Sequence, residues 1–155
     1  MDKKKAPAMI GKRWKVVQEH LGFTDEEMAE FRSYPNHVKA MEGAPAFAKC
    51  EMVVEIIEAR NCAAGYTKGD FFVVDAEGCL ITGACPSRLC VGAVYAFKPL
   101  VDRMWQAFFD NSTEVLHDTI HCPDVGVHRG GAGAVTMRMR IVPRGAWKKD
   151  HKEHE

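Results

Sequence analysis

Net charge is missing from this chain. Its 21 acidic and 21 basic residues cancel, so no field of one sign selects nucleic acid or an anionic membrane as a partner. Long apolar runs are missing too, and no stretch approaches the length of a membrane span. Behind Lys3-Lys4-Lys5 the apolar residues are soon interrupted by Lys12, Arg13, Lys15 and Gln18, which excludes a secretory h-region. The expected location is therefore the cytoplasm, where thiols stay reduced. No Cys-x-x-Cys pair occurs, and with it goes the tight spacing typical of zinc ribbons and ferredoxin clusters. No internal repeat is visible, and residue order supports no Ser-His-Asp arrangement. Gly130-Gly131-Ala132-Gly133 lacks the following lysine of a phosphate loop.

Cysteine itself is not scarce. Six occur in 155 residues, and three sit beside turn-forming residues: Asn61-Cys62-Ala63-Ala64-Gly65, Gly83-Ala84-Cys85-Pro86 and His121-Cys122-Pro123-Asp124. A chain of this length can bury a core without a disulfide framework. Thiols on turns can converge, and three thiolates with a further ligand would suit zinc, or an iron–sulfur cluster with one open iron. The alternative is plain packing, because free cysteine is among the most buried residue types. Cys62, Cys85 and Cys122 form the candidate metal set, with Cys79, Cys90 and His121 as possible additional ligands. Cys85 is also a candidate catalytic nucleophile or redox thiol, since a helix start at Pro86-Ser87 with Arg88 nearby would favour its thiolate. Cys50 reads as structural. Asp70 and Asp124 read as turn caps before proton carriers.

The apolar spacing divides the chain. Ile10, Trp14, Val17 and Leu21 line one face of a first helix. Thr24 and Glu27 then form a capping box, with Phe23 and Met28 placed as a hydrophobic staple. A short helix through Val38 and Met41 is expected to stop at Gly43-Ala44-Pro45. Strands follow at 52–59 and 71–74. A helical region from Ser87 to Asp110 carries the stripe Val94, Phe97, Val101, Met104 and Phe108, and Pro99 is expected to split it. A strand is expected within 115–120. The last strand is the clearest, since Val135, Met137, Met139 and Ile141 alternate with Thr136, Arg138 and Arg140. The fold class is α+β: a small, mainly antiparallel sheet packed with helices and preceded by a helical N-terminal arm. Residues 1–48 form the arm, 49–145 the cysteine-containing domain and 146–155 a charged, disordered tail.

The stretch from Glu51 to Val142 resembles a family of small, functionally uncharacterised proteins found largely in anaerobic bacteria and archaea. The matching residues are Cys62, Gly65, Gly69 and Asp70, then Gly83 and Cys85-Pro86, then Cys122-Pro123-Asp124 and the closing strand. Ala63 stands where the family usually has proline. The resemblance implies a compact α+β unit and, through the family's anaerobic distribution, a setting in redox or C1-type chemistry.

Three functions are carried forward. The first is a metal- or Fe–S-binding subunit or accessory factor of an anaerobic enzyme system. The second is a stand-alone thiol enzyme using Cys85, with Cys122 or Cys62 resolving. The third is a non-catalytic interaction module whose arm docks a partner through Trp14, Phe23 and Phe31. The expected partners are another protein or a second copy, with neither nucleic acid nor membrane.

Overall fold

The computed structural model describes residues 6–110, 112 and 115–148, and its contacts divide the chain into two units, Met1–Ala46 and Phe47–Glu155. The first unit is built from α1 (Ala6–Leu21), α2 (Asp25–Ser33) and α3 (Pro35–Phe47), whose last residue belongs to the second unit. Thr24 caps α2: its hydroxyl accepts from the Glu27 N–H, and the Glu27 carboxylate accepts from the Thr24 N–H. Two N–H groups that a helix start leaves orphaned are thereby satisfied. Phe31 is the hub of the unit. Trp14 meets it edge-on at 6.3 Å, Phe23 lies at 5.5 Å, and His37 stacks on it at 4.0 Å. Trp14 is buried and its ring carries the Arg32 guanidinium at 5.4 Å. A ring so enclosed is not presented to a partner, which removes it from the proposed docking set. Helix α3 runs through Gly43-Ala44-Pro45 where the sequence reading placed a stop.

The second unit is an α+β domain. Its antiparallel sheet has the order β2-β1-β4-β3, from β1 (Cys50–Arg60), β2 (Phe71–Val74), β3 (Thr119–His121) and β4 (Ala134–Pro143). The long central pair β1–β4 slips register between Ile56 and Glu58, a bulge at Ile57. One sheet face, with Met52, Val54, Ile56, Phe72, Met137 and Met139, packs against α4 (Val91–Phe109). Helix α4 supplies Ala93, Ala96, Phe97, Leu100 and Met104 as its buried side. Pro99 does not split α4, which stays continuous because Phe97 and Leu100 on either side are anchored in this core.

The opposite sheet face is apolar only at its centre. Val53, Val73 and Val142 are covered there by Ala84, Ile81 and Trp147. Ala146 and Trp147 thus pack against the sheet although the sequence reading assigned them to the tail; the stretch 149–155 lies outside the described residues. Toward β3 the same face turns polar, with Arg138 paired across the ladder to Glu55. Of the two cations read from β4, Arg138 thus lies opposite a carboxylate, while Arg140 lies opposite Val53.

Candidate interaction site

Cys62 opens a tight turn in which the Gly65 N–H donates to the Cys62 carbonyl at 2.9 Å. Gly65 sits at φ +83°, a backbone shape that suits glycine. The next residue, Tyr66, is buried against Phe72 with ring centroids 5.4 Å apart. Its hydroxyl donates to the Arg88 carbonyl at 2.8 Å and accepts from the Cys90 N–H at 2.7 Å. One phenol therefore fastens the Cys62 loop to the start of α4. Burial is the main reason its proton is held more tightly than usual. The Cys90 N–H opposes that effect, while the nearby Cys90 and Cys62 thiols add to it.

This geometry re-sorts the cysteines. Helix α4 begins at Val91, so Cys90, not Cys85, occupies the N-cap position. Cys85 lies at the end of a short 3-10 turn, Thr82–Ala84, with its thiol toward the Val73 carbonyl at 3.8 Å. It gains no helix N-terminus, and burial pushes its thiol pKa up, the reverse of what an activated nucleophile needs. Cys122 turns its thiol to the Asp124 carbonyl at 3.7 Å. Cys62 and Cys90 share the neighbourhood of Tyr66. Cys79 is exposed, and no disulfide joins any of the six cysteines. Among the described residues no three or more His, Cys, Asp or Glu side chains are grouped to hold a metal ion. Zinc or a cluster needs such a set, and the described residues do not offer one. His121 lies exposed in β3 with its Nδ1 3.0 Å from the Thr136 hydroxyl.

These environments set an order of reactivity. With iodoacetamide at pH 8, Cys79 is expected to alkylate fastest and Cys85 slowest, with the Cys85 rate still rising above pH 9. Peptide mass spectrometry against time checks this. A Cys85 that outpaced Cys79 at pH 6 would restore the nucleophile reading.

Both carboxylates singled out in the sequence organise backbone. Asp70 accepts from the Thr67 N–H at 2.7 Å and from the Thr67 hydroxyl at 3.2 Å. Asp124 accepts from the N–H groups of Gly126, Ala132 and Gly133 at 3.1, 3.0 and 2.9 Å. Gly131 belongs to this ring because a Cβ there would strike the Asp124 carboxylate and come within 2.9 Å of the Gly126 nitrogen. The glycine-rich segment thus wraps a carboxylate of its own chain. The bond from Gly133, then that from Gly126, hold the Asp124 pKa below its ordinary value. A depressed carboxylate pKa gives stability that is present above the unfolded-state value, near 4, and lost as pH falls through the folded-state value. Acid unfolding followed by circular dichroism should accordingly show a steeper limb below pH 4 in the parent than in Asp124→Asn. Superimposable limbs would contradict the role.

The two sheet edges differ. Beyond β2 the chain folds back: the Ile81 N–H donates to the Val73 carbonyl at 2.9 Å, and Val74 bridges Leu80. Beyond β3 no described strand pairs. The bonds Cys122 N–H to Val135 O and Met139 N–H to Asp118 O fix the ladder's phase. Alternation then directs the N–H and C=O groups of Thr119 and His121 away from β4, toward the open side.

Beside this edge, α4 and β3 enclose a cleft of about 580 Å³ lined by Tyr95, Lys98, Pro99, Ile120, His121 and Pro123. Tyr95, which lines the cleft, is 74% exposed, and Val91, one helical turn before it on α4, is 83% exposed. Pro99 has no N–H to give the Tyr95 carbonyl four residues earlier, so the helix offers a loosened acceptor beside the cleft. Sequence reading missed this site. The one local signal was Val91 and Tyr95, four residues apart and both off the apolar stripe of α4.

Among the described residues, no helix is long and apolar enough to cross a membrane. Comparisons with protein-family models, with curated proteins and with solved structures gave no match, so the family resemblance rests on the residue pattern alone.

Proposed function

We propose that this chain is a non-catalytic protein-interaction module whose working surface is the cleft between α4 and β3. The observation that carries the reading is a sheet edge with no further strand among the described residues, lying beside a cleft lined by the exposed Tyr95, while the other edge is folded over by its own chain. Proteins ordinarily protect such edges. The reading keeps the accessory-factor part of the sequence expectation without its metal, for which no donor set of three is grouped among the described residues. The surface differs from the one proposed from sequence, since Trp14 on the arm is enclosed.

An unbiased displayed-peptide library panned on the immobilised protein tests the proposal. Enriched peptides should bind the parent and the Val16→Glu control equally, because Val16 lies on α1 in the other unit. They should lose binding to Tyr95→Glu, a change at an exposed position that leaves the core intact. Failure to enrich any peptide, or binders indifferent to Tyr95, would sink the reading.

A further inference from the structure

We infer that the occupant of the α4–β3 cleft is an extended segment of another protein that joins the sheet as a fifth strand beside β3. This rests on the interaction-module reading and adds the conformation of the partner. Thr119 and His121 present two donors and two acceptors at alternate positions of one edge. An extended backbone supplies matching groups at the same two-residue period, whereas a helix has already used its own. Side chains of an added strand alternate between faces. Those on the α4 side would enter the cleft, whose lining includes Lys98 and His121 but is mainly apolar through Tyr95, Pro99, Ile120 and Pro123, which calls for apolar residues there. Those on the other side would lie next to Thr119 and His121, an exposed polar surface where His121 is oriented by Thr136. The segment recognised is therefore one with apolar residues at every second position and polar residues between them.

A second copy of this chain is the competing occupant, because β3 could pair with itself about Ile120. That arrangement offers each cleft a single apolar side chain, Ile120, between Thr119 and His121. A space of about 580 Å³ takes considerably more. A strand with bulky residues at alternate positions fills it better.

The test uses a synthetic peptide of the most enriched displayed sequence and scans it by single N-methylation, which deletes one backbone donor at a time. Binding to the full chain by isothermal titration should weaken by about tenfold, one hydrogen bond's worth, at alternate positions and by less than about twofold at those between. Binding that still depends on Tyr95 but shows no alternation would overturn strand addition and leave the interaction surface standing. Peptides indifferent to Tyr95 would overturn both. A chain that sediments as a dimer, with the dimer dissociated by Tyr95→Glu, would overturn the foreign segment in favour of a second copy.

Discussion

Replacing Gly133 with alanine is expected to lower the free energy of unfolding by about 3 kcal/mol, the upper end of the usual overpacking range. The added Cβ would strike the Asn61 carbonyl oxygen and lie 2.8 Å from both the Arg60 oxygen and the Asn61 carbonyl carbon. All are backbone atoms, so no side chain can rotate aside. Gly133 is also a donor to Asp124 and lies immediately before β4, where Arg60 and Ala134 begin the pairing with β1. A shift there pulls on the Cys62 turn and the Asp124 loop together. Gly83→Ala is the matched control, since a Cβ at Gly83 meets nothing within 4 Å. Urea midpoints should separate the two variants clearly. Equal midpoints would show that the two loops are not in the close contact described.

Tyr66→Phe should cost about 1–3 kcal/mol, the range for leaving buried partners unsatisfied. Both the Arg88 carbonyl and the Cys90 N–H lose their partner while the ring keeps its place against Phe72. The effect has a pH signature. A raised tyrosine pKa contributes stability that is complete below the unfolded-state value, about 10, and is lost as pH rises through the folded-state value. The parent should therefore weaken more steeply than Tyr66→Phe above pH 10. The Cys90 amide should also exchange faster in the variant. A variant with parental stability and parental exchange at Cys90 would remove the phenol as the link between the Cys62 loop and α4.

What could be read from sequence was local. Thr24 and Glu27 lie three residues apart, so their reciprocal bonds follow from helix geometry alone. The alternation from Val135 to Ile141 marks a strand with one buried face because its period is two. Proline is a poor guide to where α3 and α4 end. An interior proline costs about 3 kcal/mol locally, but Phe97, Leu100 and Met104 hold α4 together across Pro99. Phe47, which ends α3 beyond Pro45 and belongs to the second unit, packs there against Trp105 at 5.2 Å and Phe108 at 4.5 Å. These are long-range contacts that no short window contains.

The surroundings of the cysteines are not legible in sequence for a related reason. Proline or glycine beside a thiol says that the chain turns, not where the sulfur points. Cys85 and Cys122 turn to separate backbone carbonyls, and Cys62 pairs in environment with Cys90 through Tyr66, a residue with no marker in sequence. The cleft was harder still. It needs Tyr95 of α4 and Ile120 of β3, 25 residues apart (120 − 95), and an edge whose openness depends on every other strand's partner. Only Val91 and Tyr95, out of phase with the buried stripe, hinted at it.

Amide hydrogen exchange on the free protein tests the central claim most directly, because that claim begins with an unpaired edge. The account predicts fast exchange at the Thr119 and His121 amides and protection at Ile120 and Cys122, which donate inward to β4. Strong protection at both Thr119 and His121 in the isolated chain would mean the edge is already occupied, and the cleft would have no strand to receive.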